Sequence, residues 1–97
     1  MHVVIRLYSG EGARELFEML ETRRPEIEEI MRGVPDFRSY TLVRTASGGA
    51  SVTACEDKHG TDWSSRLAHK WISENAANLN IAAPNIAEGE VILELRN

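Results

Sequence analysis

The residues able to do chemistry are few and partly clustered. Cys55-Glu56-Asp57-Lys58-His59 puts a thiol, two carboxylates, an ammonium and an imidazole in one stretch. A metal site needs three or four such groups converging, and a reactive thiol needs a base and an electropositive setting. Successive strand residues point to opposite faces, so Cys55 and Asp57 share a side while Glu56 points away. The acidic neighbours also raise the thiol pKa and oppose a thiolate. The stretch therefore reads as no metal site, with Cys55 a small strand residue beside a solvated turn. His59 sits in the turn ahead of a helix, where loops carry chemistry, and is the candidate for proton transfer. His69 falls off the apolar stripe of that helix and reads as solvated surface.

A second group suits holding a ligand. Tyr40, Arg44 and Thr53 lie on two paired strands. With Arg6 and Tyr8 they offer phenols, a hydroxyl and guanidinium groups to a polar aromatic or acidic molecule. The plainer use of the arginines is pairing with Glu90 and Glu94 across the sheet. Trp63 presents a ring at a helix start that can stack on a planar ligand or seal a rim. Asn75 falls inside the same helix's apolar stripe, where a buried amide needs partners. Gly10-Glu11-Gly12-Ala13-Arg14-Glu15 resembles a dinucleotide fingerprint, but Glu15 stands where the third glycine belongs and would repel a pyrophosphate. No cofactor is expected.

The elements that position these groups follow from changes of period. His2–Tyr8 is strand-like and stops at Ser9-Gly10. Ala13, Leu16, Phe17 and Leu20 then mark a helical face, with Ser9 as its cap. Pro25 restarts the helix, Ile27, Ile30 and Met31 continue the stripe, and Gly33 ends it. Residues 36–45 and 50–56 alternate with period two around Ala46-Ser47-Gly48-Gly49, an antiparallel hairpin. Thr61 or Asp62 caps a second helix reaching about Asn78, with Leu67, Ala68, Trp71 and Ile72 buried. Residues 90–96 read as the last strand. The order βαββαβ is the ferredoxin-like split-βαβ pattern: a four-stranded antiparallel sheet with two helices on one face. Val3, Ile5, Leu7, Val52, Ala54, Val91, Leu93 and Leu95 are expected to face the helices. Val4, Tyr8 and Ile92 would then leave an apolar patch outside, which a second copy would cover.

Composition sets the outer limits. The 97 residues make one domain, 1–97, with net charge −4 and no basic block. Nucleic acid, whose affinity rests on phosphate neutralisation, is not an expected partner. No apolar run approaches the ~20 residues of a membrane span, and the N-terminal stretch does not read as a secretory signal. A single cysteine fits a reducing compartment, so a cytoplasmic location is expected.

The βαββαβ layout resembles the dimeric α/β-barrel superfamily, which includes antibiotic-biosynthesis-type monooxygenases. Residues 39–45, Gly48-Gly49, Ser51-Val52-Thr53, Cys55-Glu56-Asp57 and Gly60-Thr61-Asp62 resemble a small bacterial family of unassigned chemistry. The likeness extends through Ser64-Ser65-Arg66, Trp71-Ile72 and Glu74-Asn75. The resemblance implies a homodimer joined through the sheets, with a cavity between each sheet and its helices. Haem-degrading members use an Asn on the first strand with a Trp and a His, and here that strand offers Arg6 and Tyr8. Two functions are therefore carried forward: a small-molecule-binding or interaction module, and a cofactor-independent monooxygenase or isomerase acting on an activated carbon acid. In the second, His59 is the base and Tyr40 or Arg44 steadies the enolate.

Overall fold

The computed structural model describes residues 1–97. Strand β1 (His2–Ser9) leads into helices α1 (Ala13–Thr22) and α2 (Arg24–Arg32). Strands β2 (Phe37–Thr45) and β3 (Gly48–Cys55) form the hairpin. Helix α3 (Lys58–Asn75), a short 3₁₀ turn (Ala77–Leu79) and strand β4 (Asn85–Glu90) complete the chain. The sheet is antiparallel in the order β2-β3-β1-β4, with the helices on one face. This is the expected ferredoxin-like α+β architecture. No helix is long and apolar enough to cross a membrane.

Local chemistry explains most boundaries. Gly12 takes φ 78° at the start of α1, which the side chain of Ser9 does not cap. Leu79 packs so closely on Gly12 that a Cβ there would lie 2.3 Å from its carbonyl oxygen. Pro25 sits in the first turn of α2, where its missing N–H costs nothing. The hairpin is tighter than the glycines suggest, since Thr45 pairs directly with Gly48. Gly48 and Gly49 instead let α1 approach the sheet: a Cβ on Gly49 would fall 2.4 Å from the Phe17 ring. Helix α3 starts earlier than Thr61 or Asp62, because Asp57 is its cap and accepts a bond from the Gly60 amide.

Two expectations are overturned. The last strand is Asn85–Glu90, not 90–96. Alternation alone favours Val91–Arg96, but a strand needs a partner, and β1 begins at His2 opposite Glu90. Beyond that point only one further backbone bond forms, from the Val91 amide to the Met1 carbonyl.

The faces of the sheet are also reversed. Val4, Arg6 and Tyr8 on β1 are buried against the helices together with Ser51, Thr53 and Cys55 on β3. Ile5 and Leu7 point away and stay about 40% exposed, at 39% and 42%. Val3, Val52 and Ala54 lie on that outer face by register. Counting apolar residues selects the wrong side, because the more apolar face is the one the helices leave bare. Under the helices the core joins Tyr8, Leu16, Phe17, Leu20, Met31 and Trp71.

Candidate ligand site between the sheet and the third helix

Arg6 is the centre of the site. Its register opposite Ser51 and Ile86 carries it beneath α3, where it is only 2% exposed. Nη1 donates to Ser65 Oγ at 3.0 Å, which ties the middle of α3 to β1. Nε and Nη2 are buried and have no protein partner. The hydroxyls of Ser51 and Thr53 are likewise buried and unpartnered. So many unmet polar atoms in one core layer is unusual, since such groups are nearly always paired.

Two spaces meet at this guanidinium. One is a small, partly open cavity of about 40 Å³ whose walls include Tyr8, Tyr40, Ser51, Leu67 and Trp71. The other is an open groove of about 520 Å³ between α3 and residues 76–86. Ser65, His69 and Ser73 supply its polar side, and Ile81, Pro84 and Ile86 its apolar side. Arg6, Tyr8 and Ile72 line both spaces and form the partition between them. The groove falls within the ~300–1,000 Å³ usual for small-molecule sites.

The electrostatics are one-sided. No acidic residue lines either space. Burial pushes the phenols of Tyr8 and Tyr40 above their ordinary value, and the charge of Arg6, with its hydrogen-bonding approach to both phenols, opposes this without reversing it. Both phenols are therefore neutral near pH 7, and neither serves as a counter-ion to Arg6.

The residues singled out from sequence scatter around this centre. Tyr40 lines the small cavity, and Thr53 lies buried in the same sheet layer, paired in register with Val4 and Tyr40. Arg44 shares their face of β2 but turns to the surface, where it pairs with Glu21. His59 lies in the first turn of α3 itself, exposed, with its ring 6.0 Å from that of Trp63. Trp63 is 41% exposed and has Arg66 over its ring, so this trio forms a surface cluster away from the groove. Asn75 accepts from Arg23 Nη1 and donates to the Trp71 carbonyl, both at 2.9 Å, locking α3 to the α1–α2 corner. Trp71 adds a bond from Nε1 to Glu26. Cys55 is fully buried, and burial first, then Asp36 and Asp57, push its thiol pKa up.

Sequence reasoning passes over Ser65 and sets His69 aside. His69 is exposed, as its helical angle indicates, yet it stands on the rim of the groove. Its neighbours across the groove come from residues 81–84, which no helical periodicity reveals.

No protein-family model matches the chain, and no curated protein matches its sequence. Solved structures do match its fold. A protein of unknown function from Nitrosomonas europaea superposes with a TM-score of 0.69 at 16% identity, covering 99% of this chain and 92% of that one. The haem degrader MhuD of Mycobacterium tuberculosis, with two haems in its active site, gives 0.68 at 20% identity, covering 99% and 100%. A monooxygenase from ActVA-Orf6 of Streptomyces coelicolor, in complex with nanaomycin D, gives 0.62 at 17%, covering 99% and 90%. The chain thus has the ferredoxin-like fold of the monooxygenase and haem-degrader structures.

Proposed function

We infer that this protein is a small-molecule-binding module whose ligand occupies the groove between α3 and residues 76–86. One observation carries the reading: an apolar groove of about 520 Å³ ends on a buried polar side chain with two unmet donors. Pockets that bind small molecules combine mostly apolar walls with a few convergent polar groups. The similar folds of a haem degrader and a nanaomycin-bound monooxygenase support the site's use for organic ligands. Haem fits these residues poorly. His69, the one imidazole on the groove and so the one candidate axial histidine, is exposed at the rim.

The working unit is a homodimer joined through the outer face of the sheet. Val3, Ile5, Leu7, Val43 and Val52 lie there in register beside Ala50, Ala54 and Ala87, with no charged residue among them. A face without charge, apolar along β1 and β3 and carrying Ser39, Thr41 and Asn85 on its edge strands, complements itself under a two-fold axis, which makes a second copy its natural cover. A buried free thiol suits a reducing, cytoplasmic setting.

Native mass spectrometry of freshly purified protein tests both statements. The expected species is a dimer with extra mass that is lost on denaturation. A groove filled by Ala83→Trp should purify without that mass; if it retains it, the ligand lies elsewhere.

The alternative, a cofactor-independent oxygenase or isomerase, draws on the same geometry. Arg6 and the two phenols would steady an enolate, and His69 rather than His59 borders the space where a base is needed. Deuterium exchange into an activated carbon acid such as acetylacetone checks this. Exchange catalysed by the wild type and lost in His69→Ala favours the enzyme.

A further inference from the structure

The free edge of Arg6 carries more information than its burial. A guanidinium offers five N–H donors in a rigid fork. Ser65 occupies the Nη1 side at 3.0 Å. The unpartnered atoms, Nε and Nη2, are neighbours on one side, and their hydrogens run parallel. That spacing matches the two oxygens of a carboxylate, the pairing arginine makes most strongly.

The protein supplies no anion to answer this edge: the polar groups that interact with Arg6 are the phenols of Tyr8 and Tyr40, and neither closes a hydrogen bond to Nε or Nη2. Neither the cavity nor the groove presents an Asp or Glu to it. Tyr8 and Tyr40 stand nearby as neutral phenols, able to donate to an oxygen but not to neutralise the charge. The Ser51 hydroxyl, buried on the same cavity, is a further donor without a partner. One cation is available at the floor, which suits a single negative charge. A phosphate dianion or a nucleotide would call for more positive charge and a polar lining, whereas Ile72, Ile81, Pro84 and Ile86 make the groove apolar.

We propose that the ligand of this groove is a monocarboxylic acid with an apolar body, its carboxylate lying along the Nε–Nη2 edge of Arg6. The proposal rests on the groove being the binding site. The apolar body lies between Ile72 and residues 81–86. The head passes Tyr8 and Ile72, which with Arg6 are the side chains shared by groove and cavity. Seating it requires these side chains to part, because Nε and Nη2 are closed off from solvent.

Isothermal titration calorimetry on the full chain provides the test, with octanoate and 2-naphthoate set against octanamide and 2-naphthamide. Each pair has the same body and differs in charge. At least one acid should bind at least ~10-fold more tightly than its amide. Arg6→Gln should erase that preference, and Arg6→Lys should restore only part of it, because an ammonium lacks the fork. The acid–amide comparison in the wild type needs no variant to fold. Equal binding of acid and amide, both removed by Ala83→Trp, would overturn the carboxylate and leave the groove standing. Binding of either that Ala83→Trp does not disturb, or no binding of any probe, would overturn the groove itself.

Discussion

At the scale of single residues, the decisive feature is a charge placed where a hydrophobe would pack. Arg6 lies in a core layer whose other members are mostly apolar, and a buried cation without a counter-ion carries a desolvation penalty of several kcal/mol. Replacing it by methionine of similar reach should therefore stabilise the unliganded protein, by about 1–4 kcal/mol in urea titrations, despite losing the Ser65 bond. A destabilised Arg6→Met would mean that the guanidinium is structural. Buried acids make a second residue-scale point. Cys55, Tyr8 and Tyr40 all have pKa values raised in the fold above ordinary values of 9.0 and 10.0. The unfolded chain thus releases these protons first as pH rises. Their contribution to stability is complete below about pH 8 and declines progressively above it. Urea midpoints measured between pH 8 and 11 should fall along that range. A flat profile would mean that the fold holds these three protons no more tightly than the open chain does.

At the scale of elements, the hairpin and α1 are held together by an absence of side chain. A Cβ on Gly49 would meet Phe17 ring atoms at 2.4–2.5 Å, so Gly49→Ala must push α1 off the sheet. The expected cost is about 1–3 kcal/mol, read from thermal or urea unfolding. A neutral result would show that α1 shifts freely. The same elements show how far the sequence speaks. Period changes at Ser9-Gly10, at Pro25 and around Gly48 place β1, the α1–α2 break and the hairpin within a residue or two. Residues 85–90, Asn-Ile-Ala-Glu-Gly-Glu, have little strand character, while 91–96 have a great deal. Pairing length on β1 decides between them, and that is a tertiary fact no local pattern contains. The site is half visible for a related reason. Arg6, Tyr8 and Tyr40 are identifiable as a possible ligand set, yet the rule that apolar residues point inward sets Arg6 outside. Ser65 and His69 acquire meaning only when residues 76–86 fold back beside α3.

At the scale of the whole molecule, the chain leaves apolar surface in two places. The outer sheet face is one. The other is the segment after β4, where Ile92, Leu93 and Leu95 are largely exposed, Ile92 at 98%. Isolated exposed hydrophobes are ordinary, whereas contiguous ones mark contact surfaces. Leu7→Glu sets a charge on the sheet face and should break the proposed homodimer into monomers in sedimentation velocity at micromolar concentration. An unchanged sedimentation coefficient would locate the contact elsewhere. The strand order has a consequence for synthesis. β1 is made first, yet it occupies an interior position between β3 and β4. Its second edge therefore stays open on the ribosome until residues 85–90 emerge. Helices α1 to α3 and the hairpin can gather earlier, but the sheet closes only when β4 arrives. Throughout that interval the nascent chain carries an open strand edge, the feature most apt to pair with a neighbouring chain. Slow translation between α3 and β4 would prolong the exposure, and chaperone demand should be greatest just before β4 is released.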